Sequence, residues 1–111
     1  MASLASPSDI CKCTCVLDIR PAAERASSGQ TIAGAACVTW NREKACFDES
    51  DDDIAKALPS KDECIAVHCK TGGRVSTALG VLKSMGYENV INAGGPDGGQ
   101  EQWEALKTLA K

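Results

Sequence analysis

Three features are scarce in this 111-residue chain: histidine, net positive charge and long apolar runs. A net charge of -3 gives no general attraction to nucleic acid or to anionic membranes. No apolar run approaches the ~20 residues that a membrane-spanning helix needs. The first fifteen residues also lack the charged start and apolar middle of a signal peptide. We therefore expect a cytoplasmic protein with neither nucleic acid nor membrane as a partner.

Cysteine is abundant by contrast, with seven residues in the chain. In a secreted protein an odd number would indicate disulfides and one leftover thiol. Here no export signal is visible and several cysteines fall in apolar, strand-like runs, so we expect reduced thiols. The length predicts a single domain, residues 1–111, whose core needs no disulfide support. Its small and polar start, residues 1–12, is predicted to be a flexible arm.

Candidate metal ligands are few. Cys11, Cys13 and Cys15 alternate along the chain, a pattern open to a metal clip or a thiol relay. A zinc site of matched spacing needs a second pair of ligands, and His68 is the only histidine. We therefore interpret these cysteines as incidental thiols before a strand. The acidic run at residues 51–53 is typical of a helix start, since a divalent-ion loop alternates its oxygen ligands. No metal and no other cofactor is expected.

Apolar strand-like runs alternate with amphipathic helical patterns along the chain. The predicted strands cover residues 15–19, 36–39, 64–68 and 89–92, and the predicted helices cover residues 21–27, 51–58, 74–85 and 100–110. Pro59 is expected to end the second of these helices, and residues 41–49 remain ambiguous. Four such alternations favour an α/β fold, a small parallel sheet of four to five strands with helices on both faces.

The most informative stretch is residues 64–76, which reads as a buried strand, a tight loop and a helix start. Cys69 lies where the strand ends. Gly72 and Gly73 allow the loop backbone to turn its N–H groups inward and form an anion-binding cradle around the thiol. The alternative is that Cys69 packs as a small hydrophobe and the glycines form only a turn. The coincidence of loop, glycines and helix start favours a nucleophilic thiolate.

Charged residues surround this stretch. Lys70 and Arg74 would attract a dianionic substrate, although Lys70 is equally well explained as a solvated surface cation. Arg74 needs a compensating partner, because a cation at a helix N-terminus is unfavourable. Asp18 and Arg20 are expected to pair beneath the loop in a supporting role. His68 is expected to pack on the opposite strand face from the thiol, and tuning of the thiol is the alternative.

Four segments of the chain stand out together: Asp18-Ile19-Arg20, then Ile32-Ala33-Gly34-Ala35, then Cys69-Lys70-Thr71-Gly72-Gly73-Arg74, and finally Gly86-Tyr87-Glu88-Asn89-Val90 with Asn92-Ala93-Gly94-Gly95. In this order they resemble the single-domain rhodaneses, and most closely the short phage-shock type. One departure from the family's pattern is Thr31, where a histidine is common, and another is the extra glycine and polar residues after Gly95.

The resemblance implies a rhodanese-like fold and a thiosulfate sulfurtransferase. Cys69 would take sulfane sulfur from an anionic donor such as thiosulfate, hold it as a persulfide and pass it to cyanide or a thiol. The partners would be these small molecules, with a protein sulfur acceptor as a further candidate, and we expect a monomer. The implied substrate-binding residues are Lys70, Thr71, Gly72, Gly73, Arg74 and Val75.

Two other functions stay open. Residues 64–76 also resemble the active-site loops of cysteine phosphatases and of rhodanese-related arsenate reductases. Those loops have five residues between the cysteine and the arginine. Only four residues separate Cys69 from Arg74, and the smaller loop suits a single sulfur atom better than a tetrahedral oxyanion. The third function is a sulfur-carrier or regulatory module. An exposed glycine-rich tail at residues 94–99 and the spare cysteines are compatible with it.

Overall fold

The computed structural model describes residues 4–58 and 60–109. Pro59 and Ala110, which were assigned to a helix end and to the last helix, lie outside the described residues. The elements, in chain order, are α1 Pro7–Cys11, β1 Cys15–Asp18, α2 Ala22–Ser28, β2 Ala36–Cys37, β3 Trp40–Asn41, β4 Cys46–Phe47, α3 Asp51–Ala57, β5 Ile65–His68, α4 Gly73–Ser84, β6 Val90–Asn92 and α5 Gln100–Thr108.

Four strands form a parallel sheet in the order β2-β1-β5-β6. The register pairs Asp18 of β1 with Cys37 of β2 on one side and with His68 of β5 on the other. These three residues therefore end their strands in one row at the carboxyl edge of the sheet. The predicted small parallel sheet of an α/β fold is confirmed. No helix in the described ranges has the length and apolarity required to cross a bilayer.

Alternation along β5 distributes the core over both faces of the sheet. Ile65 and Val67 point to the face covered by α3 and α4, whose inward residues include Ile54 and Leu82. Ala66 points to the other face, where Trp103 of α5 packs with α1. A strand with four buried residues requires such cover on both sides, so the predicted helices on both faces are confirmed.

Local sequence signals set the ends of two helices. Ser50 caps α3, with its hydroxyl accepting a hydrogen bond from the Asp53 N–H at 3.2 Å, so the acidic run is a helix start as predicted. Helix α4 buries Val75, Ala78 and Leu82, whose helical spacing fits the amphipathic pattern that predicted a helix over residues 74–85. Helix α4 ends at Ser84, before Gly86.

The ambiguous residues 41–49 contain part of a small antiparallel hairpin, β3 paired with β4. Trp40 and Phe47 lie opposite each other in its register, and their rings meet edge to face with centroids 4.9 Å apart. Both rings belong to the core cluster on the α3 and α4 face. Two-residue strands give too short an alternation to be recognised in the sequence, which explains why the hairpin was not predicted.

The start of the chain differs from the predicted arm, because residues 7–11 form the helix α1. Ser6 caps this helix by accepting a hydrogen bond from the Asp9 N–H at 3.2 Å. Ile10 is fully buried in the cluster that contains Trp103 and Leu106 of α5. A single apolar residue in a five-residue helix gives no visible periodicity, so this docking could not be read from the sequence.

The expectation that every cysteine is reduced is wrong for two of them: Cys13 and Cys64 form a disulfide, with Cα atoms 4.5 Å apart. Sheet register explains the contact. Because β1 and β5 are neighbours, the Thr14 N–H donates to the Cys64 carbonyl at 3.0 Å, and this places Cys13 beside Cys64. The two residues are 51 apart in the sequence, so no local spacing predicts the bond.

We expect Ile10→Ala to lower the free energy of unfolding by about 2–4 kcal/mol, because it removes buried methyl groups from a packed site. Urea unfolding measures the change. The matched control is Lys12→Ala, whose side chain is 77% exposed and which should stay within about 0.5 kcal/mol of wild type. Equal stability of Ile10→Ala and wild type would mean that α1 does not dock in solution.

Candidate active site

Cys69 directly follows β5 and is a buried free thiol with 1% of its surface exposed. Its Sγ atom accepts a hydrogen bond from the Gly72 N–H at 3.1 Å, and its own N–H donates to the Gly94 carbonyl at 3.0 Å. The sequence predicted a cradle around this thiol. In the structure one backbone N–H of the loop, that of Gly72, donates to the sulfur. The loop and its neighbours also bury the thiol, whereas the prediction was an open cradle.

Glycine at position 72 is required by the backbone of this loop. Gly72 has a φ of +100° and precedes the first residue of α4. In this region a Cβ is strained, and here it would also meet the Asn92 side chain at 3.0 Å. The N–H that reaches the thiol therefore depends on glycine.

The backbone at Gly95 also lies very close to the thiol loop. A Cβ at this position would overlap the carbonyl oxygens of Cys69 and Lys70. The turn is closed by two hydrogen bonds between Gly95 and Gly98, of 3.0 and 3.2 Å. Residues 94–96 are buried, Asp97 is exposed and residues 98–99 are partly exposed, so the exposed tail predicted for residues 94–99 is wrong for its first half. The glycine-rich segment is a tight turn whose backbone packs on the thiol loop.

Asn92, at the end of β6, holds the loop and the turn together. Its Nδ2 donates to the Gly72 carbonyl at 3.1 Å, and its Oδ1 accepts from the Gly94 N–H at 3.0 Å. Only 3% of Asn92 is exposed, so water does not replace these bonds. Sequence reasoning included Asn92 in the closing segment but gave it no role. A polar residue at the end of an apolar strand was the available signal.

Asp18 and Arg20 form a buried ion pair at the end of β1. The Asp18 carboxylate accepts from the Arg20 side chain at 2.8, 3.0 and 3.2 Å and from its backbone N–H at 3.0 Å. Arg20 also donates to the Gln30 carbonyl at 2.9 Å and to the Ser28 hydroxyl at 3.2 Å. A buried guanidinium requires this many acceptors. The pair links β1 to the end of α2 and to the segment that follows it.

His68 points away from the thiol, as the alternation of β5 predicted. Its ring meets Trp103 of α5 edge to face, with centroids 5.2 Å apart. Nδ1 lies 3.1 Å from the Cys69 carbonyl, which can only accept, so we assign the proton to Nδ1. Burial lowers the pKa of His68, an effect that Asp18 partly offsets, and the ring is therefore neutral at pH 7. Among the described residues, Nε2 has no hydrogen-bond partner.

Arg74 has the compensating partner that its position required. Its guanidinium donates to both carboxylate oxygens of Glu24, at 2.9 and 2.6 Å, and so joins α4 to α2. Only 10% of the Arg74 side chain is exposed, against 33% for Glu24. This hydrogen bonding is the main cause that lowers the pKa of Glu24, and it raises the pKa of Arg74. Cys69 contributes in the same direction to the pKa of Arg74, so the guanidinium also faces the thiol.

The other predicted substrate-binding residues differ in their surroundings. The Lys70 side chain is 60% exposed and lies 3.7 Å from the Asp97 carboxylate. Thr71 is exposed at the tip of the loop, whereas the Val75 side chain is fully buried in the core. Any contact between Val75 and a substrate would therefore use its backbone N–H.

A cavity of about 470 Å³ opens beside the loop. Its wall includes Arg42, from the hairpin, which sequence reasoning missed. Another cavity, of about 380 Å³, contains Thr14 and Glu63 and has no cation among its described lining residues. The described residues include no cluster of three potential metal ligands. The wall of the larger cavity is formed by Arg20, Glu24, Ser27, Ser28, Gln30, Arg42, Lys70, Arg74, Pro96 and Asp97.

Two comparisons relate the chain to known proteins. A family model described as Rhodanese-like domain matches residues 2–106. The chain is also similar to Thiosulfate sulfurtransferase PspE of Escherichia coli (strain K12), with 40% identity over 47 residues. This match covers 42% of the chain and 45% of PspE, so the chain spans less than half the length of this curated relative. No solved structure gives a significant match.

We expect Glu24→Gln to lower the free energy of unfolding by about 1 kcal/mol at pH 7, because it removes the charge partner of the mostly buried Arg74. The folded-state pKa of Glu24 lies below the ordinary 4.5, so its contribution is present above pH 4.5 and is lost as the pH falls through the lowered value. Urea unfolding of both proteins from pH 7 to pH 3 tests this.

The matched control is Glu104→Gln, which removes an exposed pair with Lys107 and should change stability by only a few tenths of a kcal/mol. A difference between wild type and Glu24→Gln that persists unchanged at pH 3 would contradict the expectation.

We expect Asn92→Asp to destabilise the fold by about 1–3 kcal/mol, since a buried carboxylate would then face the Gly72 carbonyl without a donor. Urea unfolding measures the loss, and the rate of Cys69 alkylation reports on the loop. Asn89→Asp is the control, because its Nδ2 donates to the Asp62 carbonyl at 2.8 Å in an exposed setting. Equal effects of the two variants would show that Asn92 does not hold the loop.

Proposed function

The chain belongs to the rhodanese-like domain family, as four of its segments indicated, and on this premise we propose that it is a thiosulfate sulfurtransferase with Cys69 as nucleophile. One observation carries the proposal. The Cys69 thiol accepts the Gly72 N–H at 3.1 Å, at the carboxyl edge of a parallel sheet and just before the first turn of α4. An oriented amide and the positive end of a helix dipole both stabilise a thiolate.

In the first proposed step, the Cys69 thiolate attacks the outer sulfur of thiosulfate. A bond forms between Sγ and this sulfur, and the sulfur–sulfur bond of the donor breaks. Sulfite leaves with the electron pair of that bond, and Cys69 is left as an anionic persulfide. The three negative charges of the reactants are conserved, since the persulfide carries one and sulfite two. The Gly72 N–H supports the reaction because it stabilises anionic sulfur in a site closed to water.

In the second step, an acceptor takes the outer persulfide sulfur. Cyanide forms a bond to this sulfur, the bond to Sγ breaks, and thiocyanate leaves while the Cys69 thiolate is regenerated. A thiolate acceptor would react in the same way and leave as a persulfide. A protein thiol is a further candidate acceptor, but the burial of Cys69 favours small molecules.

The proposed entry for both molecules is the cavity beside Lys70, Arg74 and Asp97. Cys69 is not part of its wall, so a side chain must move before a donor reaches the sulfur. Lys70 is the best candidate, because its side chain is 60% exposed and is held by a long ion pair, 3.7 Å from the Asp97 carboxylate. An ion pair of this kind contributes little to stability, so its opening costs little.

The disulfide bears on the cellular compartment of the protein. Disulfides persist mainly in oxidising compartments, so the pair formed by Cys13 and Cys64 weighs against the cytoplasmic location suggested by the sequence.

We expect the intact mass of the wild-type protein to increase by one sulfur atom after treatment with thiosulfate, and to return to its starting value after cyanide is added. Cys69→Ser should show no gain, because its hydroxyl cannot form a persulfide. Cys37→Ser is the matched control: Cys37 is an exposed thiol at the end of β2 on the same sheet edge, and its loss should leave the gain intact.

A sulfur gain that survives in Cys69→Ser would refute the assignment of the nucleophile. Hydrolysis of a phosphoester or reduction of arsenate by protein that cannot take sulfur from thiosulfate would refute the sulfurtransferase. A gain without transfer to cyanide or small thiols would instead favour the sulfur-carrier function.

A further inference from the structure

We propose that Arg42 is the residue that selects a dianionic sulfur donor, an assignment that rests on the proposed sulfurtransferase function. Arg42 belongs to the turn of the hairpin formed by β3 and β4, 27 positions before Cys69, and lies in the wall of the cavity proposed as the entry. It was absent from the residues that the sequence assigned to the site. The proposal follows from how the cations of this wall are paired.

Three of the four cations in the cavity wall are bound to carboxylates. Arg20 pairs with Asp18 at 2.8 Å, and Arg74 pairs with Glu24 at 2.6 Å. Lys70 lies 3.7 Å from Asp97 in a more exposed pair. The two opposite charges of each pair cancel at distances larger than their separation. These cations therefore contribute little long-range attraction for an anion.

Arg42 is the fourth cation, and its side chain has no hydrogen bond or ion pair within the described part of the chain. It also lines an adjoining cavity of about 240 Å³, together with Gly73 and Arg74. Arg42 therefore lies beside the first turn of α4, which follows the thiol. Its position is fixed by the hairpin, since Trp40 and Phe47 anchor both strands in the core.

Among the described residues of the cavity wall, Arg42 is thus the one cation without a carboxylate partner. A unit charge interacts with a dianion twice as strongly as with a monoanion at the same distance. The interaction favours thiosulfate, which carries two charges, over an organic thiosulfonate, which carries one charge and donates sulfur by the same displacement. Lys70 and Arg74, to which the sequence gave this selection, serve other purposes: Arg74 joins α4 to α2, and Lys70 covers the entry.

The test compares Arg42→Gln and Arg42→Glu with wild type, using thiosulfate and benzenethiosulfonate as donors and cyanide as acceptor. We expect kcat/KM for thiosulfate to fall by about 3-fold in Arg42→Gln and about 10-fold in Arg42→Glu at low salt. The loss for benzenethiosulfonate should be about half as large on a logarithmic scale. Both losses should shrink at high ionic strength, because salt screens an exposed charge.

The matched control is Lys44→Glu, which makes the same change in net charge at an exposed position of the same hairpin, outside the described cavity walls. It should retain wild-type kcat/KM for both donors. Losses that are equal for the two donors, losses that Lys44→Glu reproduces, or unchanged rates in both Arg42 variants would each overturn the proposal.

These failures are distinct from failure of the proposed function. If wild type takes sulfur from neither donor, the sulfurtransferase itself is refuted. If wild type is active and the Arg42 variants match it, only the role of Arg42 is refuted.

Discussion

The site depends on one steric constraint: two backbone segments from the ends of adjacent strands are in direct contact. The thiol loop follows β5 and the glycine turn follows β6, and Gly95 lies against the Cys69 carbonyl with no room for a Cβ. Asn92 bonds to both segments, so neither can move alone. The orientation of the Gly72 N–H toward sulfur is a consequence of this contact. A rigid scaffold of this kind keeps the amide oriented toward the buried sulfur without reorganisation.

Charge at the site is arranged in pairs rather than as a positive field. Arg20 and Arg74 are held by carboxylates: the Asp18–Arg20 pair links β1 to the end of α2, and the Glu24–Arg74 pair joins α2 to α4. Buried or half-buried pairs lose much of their Coulombic energy to desolvation, so they contribute more to geometry than to net stability. The neutral state of His68 fits this arrangement, because burial keeps a further charge away from the carboxyl edge of the sheet. The Cys69 sulfur is then contacted by the Gly72 N–H and faced by the Arg74 guanidinium, whose charge is already paired with Glu24.

How much of this could be read from the sequence depended on whether the signal was local. Helix α4, the helix start at residues 51–53 and the strand of residues 64–68 carry their own periodicity or charge pattern, and they were predicted within one or two residues. Contacts between distant residues were not predictable. Arg74 was expected to need a partner, yet nothing local identifies Glu24, 50 residues away. Ile10 in its short helix, Asn92 and Arg42 were missed for the same reason, because their roles arise only when strands and hairpin come together.

The disulfide and the free thiol of Cys69 lie at opposite ends of β5. Cys64 precedes the strand and Cys69 follows it, so their side chains belong to opposite faces of the sheet. Five residues of extended chain separate them by about 16 Å. The Cys69 thiol at one end of β5 is therefore out of reach of the crosslink at the other end, and the apolar core lies between them. An oxidised cysteine and a free thiol can therefore flank the same strand without exchanging disulfide partners.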